Sequence, residues 1–502
     1  AYATGEVEFF DGATSLGTST LNAAGWTTLD VSTLSVGTHS VTASYEGDAV
    51  FPASDGSTSV SIGQASTTTA VAATAPTVFG QSTTLTATVS PVAPGAGTRT
   101  GTVTFMDGAT PLGSGTVDAA GVATITASNL SVGNHTISAT YSGSSDFLAS
   151  TGTGSHSVTQ AASTVTLSSD ADPAVFGQAV TVTATVSAAA PGAGTPTGTV
   201  ELYEGPNFLG TGTLSGGQTS FALGALPVGT HTFTAAYSGD TNFTGSGAPF
   251  DQEVLPAGTS VAVASSADPS VLGQTVTFTA TVSVTAPGTG TPVGTVEFRQ
   301  GAAVLGTGTL DGSGQATYDT GALTVGSHLV DAVYLGSADH TTSTGSITQD
   351  VAAAATTTSV TSDLDPSVFG QPVTYTATVV TTSPGSGTPT GDVEFRQGDT
   401  LVGTAALDGS GVASLETVPT AAWALAITAT YVGTTSFATS SGAHTQDVTP
   451  AGTTTSLTSS PNPSLTAQAV TFTATVLPVA PGAGTPTCSV TFVVDGTPGV
   501  PQ

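Results

Sequence analysis

The sequence predicts an all-β chain of tandem Greek-key β-sandwiches, about 97 residues each, arranged as an elongated rod. Three sets of markers recurring at a fixed step lead to this reading. The first is an aromatic or aliphatic residue followed by Gly and Gln: Phe79-Gly80-Gln81, Phe176-Gly177-Gln178, Leu272-Gly273-Gln274 and Phe369-Gly370-Gln371, with a degenerate echo at Leu465-Thr466-Ala467-Gln468. The second is a Pro-Gly-x-Gly turn starting at Pro94, Pro191, Pro287, Pro384 and Pro481. The third is a tyrosine with Gly two residues on, at Tyr45, Tyr141, Tyr237, Tyr334 and Tyr431. Every step within each set is 96 or 97 residues, and such a period marks a repeat architecture.

Each repeat reads as strands. After Gln81 the chain runs Ser82-Thr83-Thr84-Leu85-Thr86-Ala87-Thr88-Val89-Ser90, apolar and polar in alternation. A period of two belongs to a half-buried strand, so Leu85, Ala87 and Val89 should face a core and the threonines water. Val180, Val182, Ala184 and Val186 repeat the register, and Val103, Phe105, Ala123, Ile125, Ile137, Ala139 and Tyr141 continue it. β-Branched residues dominate, and Gly or Pro punctuates the pattern every 8–12 residues. About seven short strands per repeat point to a sandwich. The paired Cys and buried Trp of antibody domains are missing, since Cys488 is the only cysteine.

The boundaries fall at 1–64 (the back part of a repeat), 65–160, 161–256, 257–353, 354–450 and 451–502 (the front part of a repeat). Linkers are short, without Gly/Ser or Pro-rich spacers. A sandwich of this size spans roughly 35–40 Å, so four complete repeats suggest a rod of roughly 150 Å.

The segments FGQAVTVTATV, PGAGTPTGTVELYEG and LPVGTHTFTAAYSGD of the second full repeat resemble the bacterial Ig-like domain repeats of large surface and secreted proteins. The resemblance covers essentially the whole chain. It implies tandem immunoglobulin-like sandwiches in an extracellular setting, as stalks that hold something else outward. Two departures stand out. The Val-Gly-x-His segment of His39, His135, His231 and His328 becomes Ala421-Ala422-Trp423-Ala424-Leu425 in one repeat, and the last repeat lacks the Phe-Gly pair.

Composition restricts function further. Charged residues are 7% of the chain, the net charge is −30, Lys is absent, and the only basic side chains besides His are Arg99, Arg299 and Arg396. Nucleic acid and anionic lipid both demand clustered cations, so neither is an expected partner. With one cysteine no disulfide framework within the chain is possible. No apolar run approaches the ~20 residues of a membrane helix.

Candidate chemistry is sparse. The recurrent histidines lie one per repeat, too far apart to share a metal, and read as turn residues entering the tyrosine strand. His156, His340 and His444 are isolated. Asp170, Asp172, Asp268, Asp363 and Asp365 lie just before the Phe/Leu-Gly-Gln segment, on a turn that should point toward the next repeat. Asp240 and Asp339 follow the tyrosine and should point back. Facing carboxylates at a junction would suit Ca²⁺, which takes six to eight oxygens; ordinary turn chemistry explains the same residues. No catalytic, cofactor-binding or metal residue is assigned, and the chain reads as a non-enzyme. Asn129, Asn134 and Asn242 head glycosylation triplets.

The ends leave two readings open. Gly5 is in phase with Cys488, so the ends overlap by nineteen residues and both carry a Val-x-Phe strand. Either the stretch is a window on a longer array, or the end of one subunit completes the start of the next copy in a head-to-tail filament. The overlap favours the window, and Cys488 is expected as a free buried thiol. The functional expectation is an extracellular structural protein, a stalk or the body of a surface fibre. The rival is an adhesin, a binding module holding glycan or protein ligands by its loops or sheet edges. Exposed aromatics clustered in one repeat would favour the rival; Trp26 and Trp423 lie in different ones.

Overall fold

The protein is described by a computed structural model covering residues 1–498. Every regular element in it is a β-strand. The chain divides into two compact units, one of Ala1–Ala174 with Ala179–Val254, the other of Val175–Gln178 with the chain from Leu255 onward.

The first unit opens with one antiparallel sheet of β1 (Glu6–Asp11), β2 (Thr14–Thr20), β3 (Gly37–Tyr45) and β4 (Ser54–Ile62), in the order β2-β1-β3-β4. The complete repeat 65–160 follows, with β5 (Thr67–Val71), β6 (Thr77–Val78), β7 (Thr83–Pro91), β8 (Thr102–Asp107), β9 (Thr110–Thr116), β10 (Val122–Ala127), β11 (Gly133–Tyr141) and β12 (Ser150–Thr159). Two sheets form, β10-β7-β5 and β6-β12-β11-β8-β9. The first edge strand thus switches sheets: β5 pairs antiparallel with β7, and β6 pairs parallel with β12. Pro76 sits at the switch, where its missing N–H breaks the ladder. The same pair of sheets recurs in repeats 161–256, 257–353 and 354–450. In the second unit, Thr453–Ser460 pairs with Thr471–Pro478 as a two-stranded sheet.

The alternation in the sequence becomes the core. Leu85, Ala87, Val89, Val103, Phe105, Ile137, Ala139 and Tyr141 are buried between the two sheets of their repeat. Ile125 is the exception. It is only half-buried, at the sandwich edge against Gly113. The recurrent tyrosine has a double role. Its ring is in the core, and its hydroxyl donates to a backbone carbonyl just before the β8-type strand: Tyr237 to Thr197 at 2.7 Å, Tyr334 to Val293 at 2.7 Å, Tyr431 to Thr390 at 2.6 Å. A buried hydroxyl needs such a partner, and each bond contributes about 1 kcal/mol.

A second buried polar position was not evident in the sequence. His156, Gln252, Gln349 and Gln446 stand at equivalent places in the last strand of their repeats and are essentially inaccessible. The glutamine amides donate to the switch segment, Gln252 to Ala171 at 2.7 Å, Gln349 to Ala267 at 2.9 Å and Gln446 to Leu364 at 2.8 Å. His156 meets the hydroxyls of Thr74 and Thr77 at 2.6 and 2.9 Å. These side chains pin the segment where the chain changes sheets.

A carboxylate in the core cannot be offset by any partner there. Val182→Asp, at a position with 0% exposure, is therefore expected to destabilise by at least about 3 kcal/mol. Hydrogen exchange should lose protection across the strands of repeat 161–256 while those of 354–450 keep theirs.

Candidate functional site: the junction between successive repeats

The two glycine-rich markers meet each other across repeat boundaries. In the first unit the turn after β6, Phe79-Gly80-Gln81, is closed by its own Gln81, whose Oε1 accepts the Val78 N–H at 3.1 Å. The Phe79 carbonyl then accepts the N–H of Ala193, in the Pro191 turn of the next repeat, at 3.2 Å. Gly80 has φ +79°, and a Cβ placed on it would lie 2.2 Å from the Ala193 oxygen. Only glycine permits both that conformation and that approach. The Phe79 ring packs against the cores of both repeats and stands edge-on to Phe243 with centroids 5.6 Å apart.

The second unit repeats the arrangement three times. Thr289 donates its N–H to Phe176 at 3.2 Å and its hydroxyl to Gly177 at 2.8 Å. Ser386 donates its N–H to Leu272 at 3.1 Å and its hydroxyl to Gly273 at 3.0 Å. Ala483 donates to Phe369 at 3.1 Å. Gly273 and Gly370 again face backbone or side chain where a Cβ would stand, 2.1 Å from Ser386 Oγ and 2.5 Å from the Ala483 oxygen. Leu272 joins the apolar core of repeat 354–450. Each junction is thus a backbone clamp with an apolar plug beside it.

The connecting residues are equally fixed. Ala161 forms a parallel bridge with Phe243, giving its N–H to Asn242 and taking one from Thr244, both at 2.9 Å. Ala65, Ala257 and Ala354 bridge Phe147, His340 and Phe437 in the same way. A Cβ on Gly192 would lie 2.5 Å from that of Ala161. Glycine is enforced on one side and a small residue on the other. Gln160 adds a bond across the boundary, its amide donating to the Asp240 carbonyl at 2.6 Å. Among the described residues, each of these four alanines is held in a bridge.

The recurrent histidines hold the loop that borders the junction. His39 Nε2 lies 2.6 Å from the Ser35 carbonyl, and Ser35 lines the cavity between sheet β1–β4 and the Gly95–Thr98 turn. Its Nδ1 lies 2.7 Å from Asp11. His135 bridges Ser131 and Asp107, and His231 bridges Pro227 and Glu204. With an acceptor against each nitrogen, the ring satisfies both only as the cation. The Ser35 carbonyl and then Asp11 raise the pKa of His39. Burial opposes the charge on His135 and His231, but the carbonyl and carboxylate outweigh it, and both are raised. His328 faces the amide of Gln300 in place of an acid, and Leu425 occupies the place in repeat 354–450. A carboxylate-bound clasp is more than the turn residue expected from sequence.

The remaining candidates stay apart. Asp172, Asp268 and Asp365 accept the N–H of Glu253, Asp350 and Asp447 at 3.1, 2.9 and 2.9 Å, inside their own repeats. Asp170 and Asp363 accept from Thr181 and Thr374, each at 2.8 Å. Asp240 accepts from Thr197, Asn242 and Phe243 at 2.7–2.8 Å. Asp339 contributes its carbonyl to Ala257 at 2.8 Å. Among the described residues no three His, Cys, Asp or Glu side chains gather as a metal site. His340 is buried beside Ser337, and His444 lies 3.3 Å from Asp365. Burial, then the charge of His135, lowers the pKa of His156. Asn129 and Asn134 are exposed and Asn242 is half-buried. Trp26 and Trp423 are both exposed, the latter at φ +80° where other repeats have glycine. Cys488 is exposed as well, against expectation; among the described residues no second sheet covers its segment.

The family model for the bacterial Ig-like domain (group 3) matches residues 1–63, 68–161, 166–254, 263–352 and 357–449. None of the curated proteins compared matches the chain. Among solved structures, the fibronectin(III)-like modules of Clostridium thermocellum CbhA are 18% identical, over 37% of this chain and 94% of that one, with a TM-score of 0.17. Sidekick-1 immunoglobulin domains 1–5 are 13% identical, over 89% and 92%, with a TM-score of 0.23. The N-terminal eight Ig domains of Down Syndrome Cell Adhesion Molecule are 10% identical, over 91% and 57%, with a TM-score of 0.21.

Gly80→Ala is expected to open its clamp, seen as faster exchange of the Ala193 amide. Gly108→Ala, at φ +55° with open space around it, should cost only the left-handed conformation, about 1–2 kcal/mol, and leave Ala193 protected. The histidine clasp carries a pH signature. A raised folded pKa gives stability fully present below about pH 6.5 and lost as pH rises through the folded value. Repeat 161–256 is the clean case, since Gln252 stands across the strand from His231. Its resistance to urea should fall from about pH 6.5 upward relative to repeat 354–450, and His231→Leu should remove the difference.

Proposed function

From its place in the group 3 bacterial Ig-like family, to which the chain belongs, we propose that it is an extracellular structural protein. In this reading it serves as a stalk or as the body of a surface fibre, and its task is spacing without catalysis. The observation that supports the reading best is the junction. Backbone hydrogen bonds, an apolar plug and a linker that is itself a β-bridge tie one repeat to the next. A chain of independent binding modules gains nothing from such joints, since flexible linkers would let each module search for its own ligand. A spacer gains a constant distance between its ends.

The composition fits the same setting. Without Lys and with three Arg in 502 residues, the chain offers trypsin-like proteases almost no cleavage site, and its net charge of −30 keeps long molecules apart in solution.

Antibody against the repeats is expected to label intact cells that make the protein, and small-angle scattering of the purified chain should give a larger maximum dimension than that of a Gly80→Ala, Gly370→Ala double variant. Labelling only after lysis would overturn the extracellular reading. An unchanged scattering profile in the double variant would overturn the role given to the joints.

A further inference from the structure

Repeat 161–256 differs from the others on the outer face of its five-stranded sheet. The strand Thr199–Glu204 buries Val200 and Leu202 and turns Glu201 and Tyr203 outward. A bulge between Leu202 and Tyr203 sets Tyr203 opposite Phe208 on the neighbouring strand Asn207–Thr213. The two rings meet edge-on at 5.6 Å. Phe208 is 57% exposed and Tyr203 half-buried, and neither ring belongs to the core of the repeat. Thr234 and then Pro249 lie beside Tyr203 on the next two strands. The Tyr203 hydroxyl donates to Glu201 at 2.6 Å. An exposed ring and a half-buried one thus stand together beside a carboxylate.

The sister repeats show what that carboxylate takes. Glu8, Glu297 and Glu394 hold the position of Glu201. Two residues on, Arg299 and Arg396 stand in place of Tyr203 in two full repeats, and Phe10 in the first sheet, where Glu8 accepts from the Ser15 hydroxyl at 2.6 Å. Arg299 donates Nε–H to Glu297 at 2.8 Å, and Arg396 pairs with Glu394 at 3.1 Å. The third guanidinium of the chain, Arg99, is bound to the carbonyls of Val89, Gly97 and Ala120. Every guanidinium of the chain is therefore committed elsewhere, and Glu201 has two aromatic rings where Glu297 and Glu394 have a guanidinium. Aromatic faces beside a carboxylate are the combination that holds a planar cation, through ring attraction together with charge-assisted hydrogen bonds.

We propose that the face formed by Glu201, Tyr203 and Phe208 docks an arginine side chain from a basic segment of a partner protein. Charge complementarity selects this occupant, since the exposed acid sits on a chain of net charge −30 that repels polyanions. The inference goes beyond spacing: it gives one repeat of the array a recognition role, which a bare spacer does not require.

The test is titration of the full chain with a tetra-arginine peptide by calorimetry, at about 0.15 M salt to screen diffuse attraction. Saturable binding is expected, weakened about tenfold by Phe208→Ala and by Glu201→Gln. Tyr203→Arg, a residue the sister repeats accommodate at this position, should abolish it by filling the site from within. Glu416→Gln, in another repeat, should change nothing. Equal affinity in all variants, no saturable binding, or binding of cellohexaose in place of the peptide with loss in Phe208→Ala would each overturn the proposal, the last by assigning the platform to a neutral glycan.

Discussion

Everything distinctive in this protein depends on how closely two turns from successive repeats approach. A carbonyl on one, an amide on the other and a missing Cβ on each bring backbone to backbone across the Phe79–Ala193 contact. Here the groups satisfy each other, with the Phe79 ring packed beside them. The strongest sequence markers are therefore constraints of the joint more than of the sandwich. Val, Thr and Ala at alternating positions suffice for the sheets, and they vary freely among the repeats. In the four full repeats Gly80, Gly177, Gly273 and Gly370 do not, and Ala467 takes their place in the last.

This explains which parts of the structure could be read from the sequence. The sheets were legible because a period of two has one physical meaning, and Leu85, Ala87, Val89 and Val182 went where alternation put them. The recurrent tyrosine was visible as a marker, though the carbonyl it binds lies about forty residues upstream. The sheet-switching strand Thr77–Val78 was not legible, since two residues carry no period. The joint was half legible. Both of its turns were found, but Phe79 and Ala193 are separated by more than one repeat, and a one-dimensional pattern does not say which turn meets which. The buried glutamines were missed for a simpler reason: a lone Gln in a Thr-rich strand looks exposed until its amide is seen against the Ala171 carbonyl. Cys488 went the other way, because burial was inferred from its place in a sandwich whose second sheet does not cover it.

The repeats are alike in fold and unlike in a few positions that matter. One site holds His156 in one repeat and glutamine in three. Another holds a histidine against an acid, a histidine against Gln300, or Leu425. A third holds Arg299, Arg396 or Tyr203. Each substitution exchanges one way of satisfying a local charge or hydrogen bond for another and leaves the sheets untouched. The scaffold tolerates such exchanges because its sheets and joints are held by backbone bonds, whereas each side chain at these positions answers only to its neighbours.

The bridge that replaces a linker has a consequence for how such a gene can change. Every full repeat carries a donor turn at one end and an acceptor turn at the other, and Phe79 against Phe243 or Leu272 against the core of repeat 354–450 fit the same mould. Unequal recombination that removes or copies a whole period leaves each new neighbour matched. A change of another length that falls at Ala161 or its equivalents breaks the bridge. Length added or removed in whole repeats keeps every joint, like a chain altered one link at a time.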